Sequence, residues 1–230
     1  MCGRFAFYSP HEAVQRFFGI DDPPLPRPAR WNIAPGSDIV VVRVAADDQR
    51  SLVAMHWGLV PSWTRARDGR ARLINARAET LAEKPSFRAA FRRRRCLVPA
   101  DGYYEWRQEP HGKQPYLIQA QDGVPFGMAA LWESWRDPVS GEPLTSCAII
   151  TCAATGAVKH IHERMPVVLA PTDFAPWLDP AATDPAAPTA LLAAPSGVAL
   201  RAVPVSRRVN SPRNDDPELL LPAAPAASPA

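Results

Sequence analysis

The second residue of the chain carries two groups that could together trap an aldehyde. Cys2 directly follows the initiator methionine, which methionine aminopeptidases remove when the next residue is small. We therefore expect the mature chain to begin at Cys2, with a free α-amine beside the thiol. Their reference pKa values are about 7.7–8.0 and 8.5, so both groups are partly nucleophilic near neutral pH. Such a 1,2-aminothiol forms a Schiff base with an aldehyde and then closes a thiazolidine ring.

Position alone leaves a second interpretation of Cys2 open, that of an incidental cysteine in a frayed terminus. The two residues that follow favour a chemical role. Gly3 permits close approach to the backbone, and Arg4 supplies a fixed positive charge nearby.

Glu105 is a candidate for proton transfer. It lies in the aromatic run Tyr103-Tyr104-Glu105-Trp106. A carboxyl desolvated by aromatic neighbours has a raised pKa, and a carboxyl that titrates near neutrality can give and take protons. The alternative is a glutamate on an edge strand that faces water.

Asn75 and Arg77 stand two residues apart in a segment with strand character, so their side chains should face the same side. An amide and a guanidinium on one face suit a phosphate or sugar oxygen. Glu79 continues that face and could hold Arg77 in place. The alternative is a structural polar ladder on a solvated strand.

The pair His160 and His162 has the spacing of a metal-binding His-x-His motif. No carboxylate or cysteine cluster accompanies the pair at ligand spacing, so the sequence predicts no metal site. The four cysteines include no CxxC pair, which argues against a zinc ribbon and a disulfide framework. Cys96, Cys147 and Cys152 lie in apolar runs and are predicted to be core residues.

The elements that must position these side chains form a mixed α and β pattern. Strand-like runs occur at 4–8, 39–44, 51–57, 96–99, 103–106, 116–120, 126–132, 145–152 and 198–205. Helices are predicted from Ser9 to Phe17 or Phe18, over 80–94 and around 173–177, and a turn at 31–36. The run of four arginines at 92–95 suits a helix end through its dipole, and we leave it out of the site.

These elements predict an α+β fold. We expect a single compact domain over residues 1–221, with many short strands curled on themselves and a few peripheral helices. The Pro/Ala tail at 222–230 cannot bury enough apolar surface to fold.

Composition sets wide limits on function. The 26 Lys and Arg residues oppose 23 Asp and Glu residues, and the net charge of +3 says little by itself about nucleic acid. No apolar run approaches the roughly 20 residues of a membrane span, and the N-terminus lacks a signal-peptide pattern. We expect a cytoplasmic monomer that uses no membrane, metal or cofactor.

Six segments occur together in the order and spacing of one known family. They are Met1-Cys2-Gly3-Arg4-Phe5, Asn32-Ile33-Ala34-Pro35, Trp57-Gly58-Leu59-Val60-Pro61-Ser62-Trp63, Asn75-Ala76-Arg77-Ala78-Glu79-Thr80, Ala100-Asp101-Gly102-Tyr103-Tyr104-Glu105-Trp106 and His162-Glu163-Arg164-Met165-Pro166. Over nearly its whole length the chain thereby resembles the SOS response-associated peptidase (SRAP) family, the abasic-site processing proteins. The resemblance implies a single compact domain whose core is a curled, β-barrel-like mixed sheet, with a positively charged cleft for single-stranded DNA. It also implies a covalent link between Cys2 and the ring-opened sugar aldehyde of an abasic site.

The same resemblance suggests roles for individual residues. Glu105 matches the active-site glutamate, which would protonate the ring oxygen of the sugar, and His162 matches a second proton-transfer group. The match falls on His162 because Arg164-Met165-Pro166 follow it, so His160 is expected at the surface. The catalytic candidates are therefore Cys2, Glu105, His162 and Asn75. The candidates for DNA binding are Arg4, Asn75, Arg77, Arg164, Trp63 and Trp106, where the two tryptophans could stack on bases or belong to the core.

Three hypotheses of function remain open. The first is an enzyme that captures abasic sites in single-stranded DNA through Cys2. The second is a cysteine-type peptidase or autopeptidase with Cys2 as nucleophile and Glu105 or His162 as base. The third is a module that binds single strands by charge and stacking alone. The sequence favours the first, because a 1,2-aminothiol fits an aldehyde better than an amide and no oxyanion hole can be recognised.

Overall fold

Strands make up most of the regular structure. The structure is a computed structural model that describes residues 2–21, 28–45, 48–65, 73–193 and 197–223; the predicted tail lies almost wholly outside these ranges. Within them the strands are β1 (Phe5–Phe7), β2 (Arg30–Ile33), β3 (Asp38–Val44), β4 (Arg50–Trp57), β5 (Asn75–Arg77), β6 (Arg95–Ala100), β7 (Gly102–Glu109), β8 (Gly112–Ala120), β9 (Phe126–Arg136), β10 (Pro143–Ala153), β11 (Arg164–Pro166), β12 (Val168–Leu169) and β13 (Leu200–Pro204).

The helices are short and lie around the strands. In the described ranges the α-helices are α1 (His11–Phe18), α2 (Arg88–Arg93), α3 (Phe174–Leu178) and α4 (Ala186–Ala193). Single 3-10 turns occur at Ala78–Thr80, Gly156–Val158, Pro171–Asp173, Arg207–Asn210 and Pro217–Leu220. None of the described helices combines the length and the apolar character that a membrane crossing requires.

Five of the strands close into a barrel. β10 pairs with β4, β4 with β3, β3 with β6, β6 with β9, and β9 again with β10. All of these pairs are antiparallel except β10 with β4. Every residue of β6 is buried, as expected for a strand covered on both faces. The prediction of an α+β fold with a curled, β-barrel-like core is confirmed.

A second, antiparallel sheet packs against this barrel. Its strand order is β13-β8-β7-β1-β2, which puts the start of the chain beside β7 in the middle of the sheet. Phe5 of β1 lies opposite Tyr103 of β7, and both side chains belong to the same core as the barrel residues. The sheet therefore brings Cys2, just before β1, close to the aromatic run that contains Glu105.

Most of the predicted elements occur where the periodicity indicated them. The strands at 39–44 and 51–57 match β3 and β4, and the first helix matches α1. α1 buries Val14 and Phe18 and ends at Gly19, whose left-handed φ of 63° suits a residue without a Cβ.

Two predictions were wrong. The turn expected at 31–36 begins with strand β2, because Ile33 pairs with Phe5 across a contact that only the fold creates. The helix expected over 80–94 is reduced to Arg88–Arg93. Pro85 accounts for the loss, since a proline removes a backbone donor and disfavours helical geometry in the preceding residue.

One arginine of the run at 92–95 lies in the protein interior. Arg95 is buried, and its guanidinium donates to the backbone carbonyls of Phe91, Arg92, Trp177 and Asp179. This one side chain ties the end of α2 to the end of α3. Arg92 and Arg93 are exposed.

Asn32 fastens the C-terminal segment to β2. It is fully buried, and its Nδ2 donates to the carbonyls of Val209, Ser211 and Asn214 at 3.2, 3.0 and 2.7 Å. Its Oδ1 accepts a hydrogen bond of 2.7 Å from Nη1 of Arg4. The segment 207–216 is therefore held by hydrogen bonds against the sheet that contains the chain start.

We expect Asn32→Ala to lower the free energy of unfolding by about 2–4 kcal/mol, because it leaves several buried carbonyls without donors. Urea unfolding followed by fluorescence measures the change. Gln121→Ala, at an exposed turn, is the control and should change the free energy by less than about 0.5 kcal/mol. Equal effects of the two substitutions would show that the Asn32 network does not stabilise the fold.

Candidate active site

Cys2 lies in the interior although it stands near the start of the chain. Its side chain is fully buried and belongs to the main hydrophobic core. The carbonyl oxygen of Cys2 accepts a hydrogen bond of 2.9 Å from Nδ2 of Asn75. This burial excludes the frayed terminus that position alone left open.

Asn75 takes its position from the barrel. It begins β5, which runs parallel to β10 with Asn75 opposite Ile149 and Arg77 opposite Thr151. Ala76 between them is buried, so Asn75 and Arg77 lie together on the more open side of the strand, as predicted. Oδ1 of Asn75 is buried and accepts no hydrogen bond from the described residues. It is therefore available to a donor on a bound molecule.

Glu105 is a buried carboxyl. It lies on β7, opposite Tyr116 of β8, and only 2% of its surface is exposed. Burial raises its pKa above the ordinary value, and the nearby His162 opposes part of that increase. The alternative of a water-facing glutamate is thereby excluded.

The same buried environment also shifts the pKa of the Cys2 thiol. Burial raises its pKa well above the ordinary value, and the charge of Glu105 raises it further. The resting thiol is therefore protonated at neutral pH. It becomes a strong nucleophile only when a neighbouring group accepts its proton or a positive charge arrives beside it.

His162 reaches the cavity that contains Glu105. Nδ1 of His162 accepts a hydrogen bond of 2.9 Å from the backbone nitrogen of Arg164. The carbonyl oxygen of Arg164 lies 3.2 Å from the same Nδ1, so this residue holds one edge of the ring and leaves Nε2 on the other edge. The cavity has a volume of about 440 Å³ and is lined by Glu105, Trp106, Lys113, His162 and Asn210. His160 is exposed, as expected.

Arg164 and Glu79 form a bidentate ion pair. Nη1 and Nη2 of Arg164 contact the two carboxylate oxygens of Glu79 at 2.6 and 2.9 Å, and Nη2 also donates to the carbonyl of Thr151. These bonds lower the pKa of Glu79. Glu79 therefore holds Arg164, and the expectation that it would hold Arg77 was wrong. The exposed Arg77 side chain makes no hydrogen bond or ion pair with another described residue.

The other three candidates for DNA contact are Arg4, Trp63 and Trp106, and they differ in the contacts that their side chains already make within the protein. Nη1 of Arg4 donates to Asn32 and to the carbonyl of Val209, so part of this half-buried guanidinium has a structural task. Trp63 is 64% exposed and stands in none of the described core clusters. Trp106 is half-buried, and its Nε1 donates to Oδ1 of Asn210 at 2.8 Å.

Two residues of the cavity were absent from the sequence analysis. Lys113 enters it from β8, where it lies opposite Gln108, and Asn210 enters it from the C-terminal segment. Only the register of the hairpin between β7 and β8 brings Lys113 to this position. A hairpin prediction around Gly112 could have found Lys113, whereas nothing in the sequence points to Asn210.

The described residues contain no group of three or more His, Cys, Asp and Glu side chains placed to hold a metal ion. The cavity instead combines the carboxyl of Glu105 with the imidazole of His162. The buried thiol of Cys2 lies within electrostatic range of Glu105. This arrangement places a buried thiol beside a carboxyl, with an imidazole in the same cavity as that carboxyl.

Comparison with known proteins gives the family. The sequence model described as SOS response associated peptidase (SRAP) matches residues 1–212. The chain therefore belongs to the SRAP family.

Relatives in this family resemble the chain over almost its full length. It is 39% identical over 223 residues to the abasic site processing protein YoqW of Bacillus subtilis, covering 96% of this chain and 99% of that protein. It is 31% identical over 233 residues to the abasic site processing protein YedK of Escherichia coli, covering 96% and 100%. The abasic site processing protein HMCES of Gallus gallus is 36% identical over 201 residues, which cover 77% of this chain and 59% of that protein.

Solved structures show the same fold. A crystal structure of a protein from Bacteroides thetaiotaomicron superimposes with a TM-score of 0.85 at 26% identity, covering 97% of this chain and all of that one. A phage-related protein from Bordetella bronchiseptica gives a TM-score of 0.71 at 30% identity, covering 90% and 95%.

The two glutamates of this region should affect stability in opposite directions as the pH changes. The folded-state pKa of Glu105 is raised, so its contribution to stability is fully present below the unfolded-state pKa and is lost as the pH rises through the folded-state value. The folded-state pKa of Glu79 is lowered, so its contribution is present above the unfolded-state pKa and is lost as the pH falls.

Urea unfolding at about pH 4 and about pH 7 tests these signs. Relative to the wild type, Glu105→Gln should gain stability as the pH rises, and Glu79→Gln should lose it. The Glu79 effect should be the smaller, because this ion pair is partly exposed and screened by solvent. A change of the same sign in both variants would contradict the environments described for the two carboxyls.

Proposed function

We propose that this protein captures abasic sites in single-stranded DNA by forming a covalent crosslink through Cys2. The observation that carries the proposal is the buried Cys2 thiol, which lies within electrostatic range of the buried Glu105 carboxyl in a residue whose backbone carbonyl is held by Asn75. The names of its relatives, which are abasic site processing proteins, support the substrate.

The reaction begins with removal of Met1 and opening of the sugar. Opening transfers the proton of the C1′ hydroxyl to the ring oxygen and yields an aldehyde. Glu105 is suited to move this proton, because its raised pKa keeps a fraction of the carboxyl protonated at higher pH than an ordinary glutamate. His162 in the same cavity offers a second route for protons through Nε2.

Covalent capture then proceeds in two steps. The α-amine of Cys2 adds to the aldehyde carbon, and loss of one water molecule gives a protonated Schiff base. The thiol then gives its proton to a neighbouring base and the sulfur adds to the same carbon, while the electron pair of the C=N bond moves to the nitrogen and leaves a neutral thiazolidine ring. The proton lost by the thiol balances the proton taken up when the Schiff base became protonated. The net reaction joins aminothiol and aldehyde with release of one water.

The raised pKa of the Cys2 thiol sets the order of these steps. A protonated thiol is a poor nucleophile, so the amine attacks first. The iminium charge that follows lies one carbon from the sulfur-bearing side chain and favours the thiolate at the moment it is needed.

We assign DNA contacts to six residues around this centre. The exposed Arg77 can meet a phosphate without giving up a partner, and the exposed Trp63 can stack on a base. Asn75 offers its free Oδ1 beside the reacting sugar. The side chains of the other three, Arg4, Arg164 and Trp106, are held by hydrogen bonds within the protein. They therefore form a rigid part of the DNA-binding surface. In this proposal the protein works as a monomer in the cytoplasm, on the DNA of the nucleoid.

A cysteine-type peptidase is the second candidate, and the description of the family supports it. In that reaction Cys2 attacks an amide with Glu105 or His162 as base. Amide attack requires a thiolate before any positive charge has formed on the substrate, and burial opposes that thiolate. The crosslinking reaction therefore fits the site better.

A denaturing gel tests the crosslink. The protein is incubated with a single-stranded oligonucleotide that carries one abasic site, beside an undamaged oligonucleotide of the same sequence. We expect a slower band that survives boiling and appears only with the abasic oligonucleotide. Cys2→Ala should abolish the band and still bind the strand, which separates capture from simple binding. If the N-terminus is shown to be Cys2 and no band forms, the proposal fails and cleavage of peptides becomes the next reaction to assay.

Rates of crosslinking test the two proton-transfer groups. Glu105→Gln should slow the reaction by about 10²- to 10⁴-fold with little change in binding of undamaged DNA, because a general acid–base contributes about this much. His162→Gln should slow it less. The matched controls are the exposed neighbours, Glu163→Gln and His160→Gln, which should react at the wild-type rate. Equal rates in Glu105→Gln and Glu163→Gln would remove Glu105 from the mechanism.

A further inference from the structure

A second cavity, which Glu79 helps to line, has no role in the proposed reaction. Its volume is about 600 Å³, and it lies between the strands β10 and β11 on one side and α4 on the other. Met165, Val167 and Leu192 form apolar walls, and Glu79, Thr155 and Thr189 bring polar groups to it. A volume of this size and a lining with few polar groups are typical of sites for small organic groups.

We propose that this cavity binds a nucleobase of the same strand whose abasic site Cys2 captures. The inference rests on the proposed function, because it takes single-stranded DNA as the bound molecule. The cavity would give the protein a preference for the base at one position near the lesion.

The first argument is continuity with the active site. β5 leads from Asn75, which touches Cys2, through the exposed Arg77 to Glu79 at the cavity. Two strand steps and two 3-10 steps cover on the order of 10 Å. Stacked nucleotides of one strand are about 3.4 Å apart, so this path corresponds to about three nucleotides, or fewer in an extended strand. Arg77 lies midway, where a phosphate of that strand would pass.

The second argument is the chemistry of the polar groups. Arg164 holds both carboxylate oxygens of Glu79 and keeps the group ionised. An ionised carboxylate accepts hydrogen bonds from the exocyclic amines of cytosine and adenine, and it repels the carbonyl oxygen that thymine presents instead. The hydroxyl of Thr189 can donate or accept beside it, and that of Thr155, which donates to the sulfur of Met165, can accept.

The third argument is the shape of the apolar wall. Met165 lies in β11 opposite Cys152 of β10, and its sulfur receives hydrogen bonds from Thr155, which fix the side chain. A thioether makes favourable contacts with aromatic rings, and a flat base buries its faces against aliphatic side chains such as Leu192. The cavity therefore offers apolar contacts for the faces of a base and hydrogen bonds for its edge.

Oligonucleotides with one abasic site and one further change test the proposal. A base-free spacer replaces each of the three nucleotides on either side of the abasic site in turn, and the protein concentration for half-maximal crosslinking is measured. We expect one position at which removal of the base raises this concentration by roughly 5- to 150-fold, the range that corresponds to loss of one base contact. At that position cytosine or adenine should support tighter binding than thymine.

Two variants of α4 show whether the cavity is responsible. Thr189→Trp fills the cavity, whereas Ala187→Trp adds the same side chain to an exposed position of the same helix outside its lining. The dependence on the base should disappear in Thr189→Trp and remain in Ala187→Trp. Thermal unfolding of both variants checks that each is folded.

The outcomes separate this inference from the proposed function. If the wild type crosslinks but no position depends on its base, or if Thr189→Trp keeps the dependence, the cavity is not a nucleobase site. If the wild type forms no crosslink, the proposed function fails. In that case 2-aminopurine placed along an undamaged strand still tests the cavity, since its fluorescence should change on binding in the wild type and in Ala187→Trp but not in Thr189→Trp. Absence of that difference overturns the inference.

Discussion

The hydrogen bond from Asn75 to the carbonyl of Cys2 fixes a residue that chain ends normally leave mobile. Asn75 belongs to β5, and β5 is paired along its length with β10 of the closed barrel. The position of Cys2 is therefore set by a barrel strand that pairs with β4, β5, β9 and β11. The second sheet adds the other constraint, because β1 follows Cys2 directly and pairs with β7, which carries Glu105.

The two glutamates near the site differ in protonation because their environments differ. Glu105 is almost fully buried and keeps its proton more strongly than an ordinary carboxyl, which suits transfer of that proton. Glu79 is exposed, bound by Arg164 on both oxygens and ionised, which suits a fixed acceptor. The fold therefore separates a buried carboxyl that retains its proton from an exposed carboxyl that carries a permanent negative charge.

Sequence patterns predicted those parts of the structure that depend on neighbours in the chain. The alternation in β3 and β4, the amphipathic α1 and the aromatic surroundings of Glu105 are all local, and all occur in the fold. The strand β2 was missed because its partner β1 lies far away in the sequence. The helix predicted over 80–94 is shorter in the fold, because Pro85 interrupts an otherwise favourable helical pattern.

The residues of the candidate site also divide into those that the sequence could predict and those that depend on long-range contacts. Cys2, Glu105 and His162 could be proposed from residue type and resemblance, and they meet around one region of the fold. The partner of Arg164 could not be predicted, because Glu79 precedes it by 85 residues and the contact depends on the pairing of β10 with both β5 and β11. The same limitation applies to Asn210 and to the second cavity, whose walls come from elements that are distant in the sequence.

The burial of Cys2 also affects how readily its thiol is oxidised. Peroxides and disulfides react with thiolates, and their attack requires access to the sulfur. A fully buried, protonated thiol offers neither, so its conversion to a sulfenic acid is slow. The resting protein thus keeps the Cys2 thiol in reduced form under conditions that would oxidise an exposed cysteine of ordinary acidity.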